Sequence, residues 1–310
     1  MMNRADQTLA IRALKSAAPY IRMYKGKTFV VKAGGGVFAD EEATRVLVEQ
    51  IAILHYFGVR VVMVHGGGPQ VTELQTALGM ESRMVHGRRV TDAKSIDVTA
   101  MVLSGLINTR ILSICRNLNI DAVGISGVDA GLIRAHRRSP VKHDDGQTTD
   151  YGFVGDIVGV DATVIRKLLD NGLMPVVSPL SADETGTLLN INADTVAAAI
   201  GAALDAEKLI LCTGAPGILE RVEDPGSLIS YTDLKGLKRL KDEKRIVEGM
   251  LPKAKAIEEA IRGGVRRVHV VSYLSPEGIL GEVFTNEGTG TLIVADVNAI
   301  PANEQHMGNG

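Results

Sequence analysis

Two apolar runs that each end in a cluster of glycines constrain this chain more than any other feature. Residues 27–32 (KTFVVK) are followed at once by Gly34, Gly35 and Gly36, and residues 59–64 (VRVVMV) run into His65-Gly66-Gly67-Gly68-Pro69. Short, near-continuous apolar runs rich in β-branched residues read as strands buried on both faces. Helical spacing follows each of them. Residues 41–57 offer Val46, Leu47, Ile51, Ile53 and Leu54 on one side with Gly58 as a cap, and 70–78 follow the second run. Strand, turn, helix, twice over, predicts a parallel sheet covered on both sides. Glycine turns at the C-terminal ends of such strands let backbone N–H groups approach an anion closely, because no Cβ intervenes. Open parallel sheets bind ligands at that edge.

The pattern continues along the chain. Helices are expected over 8–23 (interrupted by Pro19), 92–118, 162–172, 190–203 and 253–263, with 234–244 helix or loop. Strands are expected at 122–125, 174–178, 208–212, 267–272 and 291–294. Residues 82–90 read as a hairpin or loop, 136–155 as irregular loop and hairpin, and the basic run 134–142 as a solvated loop. The expected fold class is therefore α/β, a three-layer α/β/α sandwich around an open, mostly parallel sheet. A boundary near 180–190 is plausible, although no linker marks it. The polar tail 301–310 is expected to be disordered.

Composition narrows the function. The 310 residues are 45% hydrophobic and 23% charged, enough to bury a sizeable core without staples. A net charge of −2 gives no electrostatic footprint for nucleic acid or an anionic membrane, and aromatics at 4% with no Trp argue against base stacking. The two cysteines, Cys115 and Cys212, make no disulfide framework and no zinc pattern, so a reducing, cytoplasmic setting is expected. No uninterrupted apolar run reaches the roughly 18 residues of a membrane helix, and the polar start carries no signal-type segment.

Several familiar motifs fail. Gly34 to Ala39 fits G-x-G-x-x-A, but the second strand ends in His65-Gly66-Gly67-Gly68 and not in the acid that would hold a ribose. Gly26-Lys27-Thr28 lacks the first glycine of a P-loop. Gly124-Ile125-Ser126-Gly127-Val128 has Val where a nucleophile elbow needs glycine. What remains is a lysine, Lys32, at a buried strand end beside two glycine turns. A salt bridge at the sheet rim would also explain it. His65 and His86 read as structural, Asp92 and Asp97 as helix-start acids, and Arg88 as solvent-facing beside an inward Arg89.

Six short motifs in order carry a resemblance. They are Lys32-Ala33-Gly34-Gly35, Val64 to Pro69, Gly87-Arg88-Arg89-Val90-Thr91-Asp92, Gly152-Phe153-Val154-Gly155, Asn190-Ile191-Asn192-Ala193-Asp194 and Gly249-Met250-Leu251-Pro252-Lys253. From about residue 18 to 294 the chain resembles the amino-acid kinase family, in the branch that acts on N-acetylglutamate. The resemblance implies ATP-dependent phosphorylation of that substrate's side-chain carboxylate, in arginine biosynthesis, with Mg²⁺ arriving with ATP. It implies that Lys32 and Lys253 flank the transferring phosphoryl group and that Asp194 holds both lysines. Gly34, Gly35, Thr213, Gly214 and Gly249 would lie around ATP. Gly66, Gly67, Arg89 and Asn190 would bind the amino acid, with Asn192 supporting that loop. No metal-ligating side chain is implied. The division implied is an oligomerisation helix (1–25), an N-lobe for substrate and dimerisation (26–185) and a C-lobe for ATP (186–300).

Two further patterns, Pro19-Tyr20-Ile21-Arg22 and Glu282 to Thr291 (EVFTNEGTGT), resemble arginine-inhibited members. They imply an arginine site at Tyr20, His269, Glu282 and Gly288, and a homo-oligomer, a dimer or a hexamer built as a trimer of dimers. Three positions depart from the motifs: Gly36 stands where Asn or Ser is usual, Gly214 where an aspartate is common, and Val271-Ser272-Tyr273-Leu274 where I-D-G-R is frequent. A kinase for another, carrier-bound carboxylate and a non-catalytic arginine sensor stay open as alternatives.

Overall fold

The computed structural model describes residues 4–85, 88–143, 146–221, 223–246 and 248–299. His86, Gly87 and the tail 301–310 lie outside them. The chain opens with α1 (Arg4–Tyr24), β1 (Thr28–Ala33), α2 (Glu41–Tyr56), β2 (Arg60–His65) and α3 (Gly68–Ala77), then the hairpin β3 (Met84–Val85) and β4 (Arg88–Arg89). A long helix follows as α4 (Ala93–Ala100), a π-helical stretch (Met101–Ile107) and α5 (Asn108–Asn117). The middle of the chain gives β5 (Ala122–Ser126), β6 (Ile133–Arg137), β7 (Val141–Lys142), β8 (Thr148–Thr149), β9 (Gly155–Val160), α6 (Thr163–Asp170), β10 (Met174–Ser178), β11 (Leu180–Ala182) and β12 (Leu188–Asn190). The last part is α7 (Ala193–Ala203), β13 (Lys208–Thr213), β14 (Tyr231–Asp233), α8 (Leu234–Asp242), α9 (Leu251–Arg262), β15 (Arg267–Ser272), α10 (Gly278–Phe284) and β16 (Thr291–Val294).

Eight strands make the central sheet, in the order β14-β16-β15-β13-β1-β2-β10-β5. Pairing is parallel except between β15 and β16. The chain starts in the middle at β1, builds one half through β5 and β10, and returns to build the other half from β13 onward. The connections leaving β1 and β13 therefore run to opposite sides, the place where an open sheet offers a crevice at its carboxyl edge. The strands read as apolar because they are: Val30, Val62, Leu209 and Val268 face one buried cluster and Phe29, Val31, Val61 and Ile210 the other. A second sheet, β12-β11-β6-β9, stands over the N-terminal half.

Four expectations are corrected. Residues 133–137 form a strand, β6, paired antiparallel with β9. Its inward residues Ile133 and Ala135 alternate with Arg134 and His136, so a period-2 signal was hidden inside a basic run. At its end Arg137, still exposed, pairs with Asp150 (2.9 Å), and the half-buried Arg138 pairs with Asp156 (2.6 Å). The helix Ala93–Asn117 is 25 residues long and holds an 18-residue window with a mean hydropathy of 1.6, enough in length and composition to cross a membrane. Counting uninterrupted apolar runs missed it, because Thr, Ser, Gly and Asn break the run. Ile96, Val102, Leu103, Ile107 and Ile111 are buried in the second cluster, so it serves as a core helix. Only Asp92 acts at that helix start, accepting from Ser95 N at 2.7 Å; Asp97 lies past the first turn. Arg88 is half-buried.

Candidate active site

The two glycine turns touch. A Cβ on Gly35 would meet Pro69 Cδ at 2.7 Å and Gly67 Cα at 3.0 Å, and one on Gly67 would meet Ile107 Cδ1 at 2.4 Å. Only hydrogen at these positions lets the backbones approach so closely. The contact is fastened by Gly66 N donating to Ala33 O (2.8 Å) and by Gln70 Nε2 donating to Gly35 O (2.8 Å). Helix α3 begins in the second turn, with Gly67 as its N-cap and no side chain satisfying its first N–H groups. Those unpaired donors and the helix dipole make this turn attractive to an anion.

Beside the turns lies a charged centre built from three distant parts of the chain. Lys32, on β1, donates to Asp194 Oδ1 at 2.8 Å, and Lys253, in the first turn of α9, donates to the same oxygen at 2.9 Å. All three are buried. Burial would raise the Asp194 carboxyl, but the charges of both lysines and their hydrogen bonds outweigh it and hold it down to about 2. Burial, and then the Lys32 charge, pulls the Lys253 ammonium below its usual range, against the attraction of Asp194. Two ammonium groups share one carboxylate, so the centre carries one net positive charge ready for an anion. Asp194 itself is placed locally: Asn192 caps α7, accepting from the N–H groups of Asp194 and Thr195 and thereby fixing Asp194 in the first turn.

A cleft of about 780 Å³ opens from this centre. Lys32, Gly34, Gly35, Gly66, Gly67, Arg89, Asn190 and Asp194 line it together, and Lys253 joins through Asp194. Arg89 is held by neutral acceptors: Gln75 Oε1 (2.7 Å), Gly68 O (2.9 Å), Thr72 Oγ1 (2.6 Å) and the Ser82 hydroxyl. Among the described residues no carboxylate pairs with it, so its charge is unneutralised. Those four bonds occupy both terminal nitrogens, and a carboxylate would have to replace some of them. Arg88 lines the same cleft, against the expectation that only one of the pair would. Arg138 and Lys255 also line it and were not singled out from sequence, because a cation in a polar run gives no signal of where it folds.

Thr213, Gly214 and Gly249 are not walls of this cleft. Thr213 ends β13, the neighbour of β1, so this turn lies beside the first glycine turn. Gly249 is exposed just ahead of α9. On other elements, Tyr20, Glu282 and Gly288 lie around the junction of α1 and α10, with His269 on β15 against Glu282. Tyr20 donates to Asn286, and His269 Nδ1 lies 2.7 Å from Glu282 Oε1. Lys208 Nζ lies 2.9 Å from the other ring nitrogen, so His269 accepts there and donates to Glu282. Burial and then the Lys208 charge push His269 down to about 4. Glu282 also accepts from Thr289 N and Gly290 N; with the His269 bond these hold it to about 2 against the effect of burial.

Residues 27–272 match the model of the amino acid kinase family. The chain belongs to the amino acid kinase family. It is 45% identical over 295 residues to the acetylglutamate kinase of Myxococcus xanthus, covering 94% of this chain and 96% of that one. It is 39% identical over 294 residues to the acetylglutamate kinase of Thermosynechococcus vestitus, covering 95% and 96%. The N-acetylglutamate synthase of Neisseria gonorrhoeae complexed with coenzyme A and L-arginine superposes with a TM-score of 0.79 at 26% identity, over 92% of this chain. The chain spans 65% of that longer protein. Carbamate kinase from Giardia lamblia bound to AMP-PNP shares the fold of this amino acid kinase at a TM-score of 0.62 and 17% identity, over 87% and 99% of the two chains.

Proposed function

We propose that this chain transfers the terminal phosphoryl group of ATP to the side-chain carboxylate of N-acetyl-L-glutamate, giving N-acetylglutamyl 5-phosphate in arginine biosynthesis. It is an acetylglutamate kinase by its relatives, at 45% identity along nearly the whole chain. The observation that carries the chemistry is the single Asp194 oxygen accepting from both Lys32 and Lys253 beside two touching glycine turns.

The reaction asks little else of the protein. A side-chain carboxylate titrates near 4.3, so the nucleophile is already ionised at neutral pH and needs no general base. Cys212, beside the lysines, is pushed up to about 12 by burial and offers no competing nucleophile. The difficulty is bringing one anion against another, and catalysis rests on positioning and charge stabilisation. Lys32 and Lys253 would neutralise charge on the phosphoryl oxygens and on the departing ADP, while Asp194 keeps them apart and aligned. Gly34 and Gly35 would donate N–H bonds to the phosphates, with Thr213, Gly214 and Gly249 on the nucleotide side. Gly66 and Gly67 would cradle the acceptor. Arg89 would take the α-carboxylate and Asn190 the acetamido side. Mg²⁺ would come with ATP, held by phosphate oxygens and water. In this reading 26–185 serves the amino acid, 186–300 serves ATP, and a cytoplasmic setting supplies the nucleotide.

The decisive experiment traps the acyl phosphate with hydroxylamine. A hydroxamate signal that needs N-acetylglutamate and is lost in Lys32→Ala supports the kinase; none from the folded protein would favour a non-catalytic arginine binder.

Feedback by arginine and a hexamer belong to the same proposal. The α1–α10 junction, with His269 and Glu282 beneath Tyr20, is the arginine site proposed here. The outer face of α1 leaves Leu9 (68% exposed), Ile11 and Leu14 unburied, a surface suited to a second copy. Light scattering at six times the 33.0 kDa chain mass supports the ring, and a dimer mass insensitive to arginine would sink it.

A further inference from the structure

Three turns meet at the carboxyl edge of the sheet, and one side chain stands between them. Tyr273 directly follows β15, and its N–H donates to Thr213 O at 2.9 Å, which fastens it to the end of β13. From there its phenol reaches across to the turn after β1. A Cβ on Gly36 would lie 2.6 Å from Tyr273 Oη and 3.4 Å from its Cζ; one on Gly214 would lie 3.4 Å from the same oxygen.

Neither glycine has a positive φ. Their backbones therefore do not demand glycine, and the absence of a side chain at Gly36 is explained by the phenol alone. At Gly214 the contact is looser, but the same ring fills the room. The three departures from the kinase motifs, at Gly36, Gly214 and Ser272-Tyr273, thus form one set: a large residue enters from β15 and two small ones make way for it. Among the described residues the Tyr273 hydroxyl has no hydrogen-bond partner in the protein, so this polar atom ends between the two turns uncommitted. The ring packs against the buried cluster on this side of the sheet.

We propose that Tyr273 is a positioning residue for ATP, its phenol setting the spacing between the phosphate turn Gly34–Gly36 and the turn Thr213–Gly217. This rests on the reading that those turns hold ATP. It makes Tyr273 specific for one substrate: the amino-acid side of the cleft, at Arg89 and Asn190, is built from other elements.

The test is steady-state kinetics against both substrates. Tyr273→Gly is expected to raise the KM for ATP about tenfold, with the KM for N-acetylglutamate unchanged within about twofold. Tyr273→Phe keeps the ring and is expected to stay within about threefold of the unaltered protein. Gly36→Ser alone should be impaired by collision with the phenol, and Gly36→Ser with Tyr273→Gly should recover most of the loss, a non-additive pair. Additive effects, equal rises in both KM values, or a Phe variant as impaired as the Gly variant would each overturn the proposal. Hydrogen exchange with an ATP analogue carrying a β,γ-imido bridge separates this outcome from failure of the underlying reading. Protection at both turns with no kinetic effect of Tyr273→Gly overturns the role of Tyr273 alone. Binding of the analogue without protection there overturns the ATP reading itself.

Discussion

Asn108 donates its side-chain amide to Nε2 of His65 at 3.2 Å, and both residues are buried beneath the second glycine turn. The same amide nitrogen donates to Val176 O at 3.0 Å, and His65 Nδ1 faces Gly66 O at 3.2 Å. This arrangement fixes the tautomer, with the proton on Nδ1 and Nε2 as acceptor. His65 is thus a strut between α5, β10 and the turn. It is no acid or base for the reaction.

Burial pushes His65 down to about 4, as it does His269. Between about pH 6.5 and about 4 the unfolded chain takes up protons at both that the folded chain refuses. Stability is therefore full above pH 6.5 and falls as pH drops, by on the order of 3 kcal/mol per histidine across that window. Urea midpoints at pH 7 and pH 4.5 should show the fall, and His65→Gln should show less of it. An equal fall in both proteins would contradict this.

Asp194→Asn removes the only charge that the two ammonium groups share. Two cations left together in a buried site are expected to lower stability by about 3–5 kcal/mol. The variant should also lose at least about 100-fold in kcat, comparable to removing one donor from an oxyanion site. Lys253, already pulled down by burial and by Lys32, would titrate lower still, so residual activity should fall as pH rises at lower values than in the unaltered enzyme. A kcat–pH profile checks this; an unchanged alkaline limb would speak against the shared carboxylate.

Arg89→Lys keeps the charge but loses the planar fork that Gln75, Thr72 and Gly68 O hold in place. The KM for N-acetylglutamate should rise about tenfold or more while that for ATP stays near its starting value. Equal effects on both would place Arg89 outside the amino-acid subsite.

Gly67→Ala drives a Cβ to within 2.4 Å of Ile107 Cδ1 and 2.6 Å of Leu103 Cδ2. Overpacking of this kind is expected to cost about 1–3 kcal/mol, read as a lowered melting temperature. Gly68→Ala, with nothing near its Cβ, is the control and should melt close to the unaltered protein.

The central strands were legible in the sequence because each is announced locally, and the charged centre because its three residues fall in motifs that carry the family resemblance. Apolar runs mark β1 and β2, and Lys32 sits within the first of the motifs at a strand end. Tyr273 and Arg138 were not legible as site residues. What matters about Tyr273 is its contact with Gly36, 237 positions away in sequence, and no periodicity encodes such a meeting. Arg138 sits in a basic run whose neighbours point elsewhere, and only pairing of β6 with β9 turns it to the cleft. Asn108 lies in an apolar helix as one polar residue among many, and nothing nearby hints that it ends on a histidine 43 positions earlier.

The place of β1 in the middle of the sheet has a consequence for how the protein is made. One side of this strand is covered early, by β2, but its other side pairs with Lys208–Cys212, some 180 residues further along. At ribosomal rates of roughly 5–20 residues per second, that edge stays uncovered for on the order of ten to forty seconds while the rest of the chain emerges. The strand is short and carries Lys32, and both features blunt such an edge against pairing with other nascent chains. The lysine that the folded protein uses at its charged centre thus also guards this strand while the rest of the chain is made.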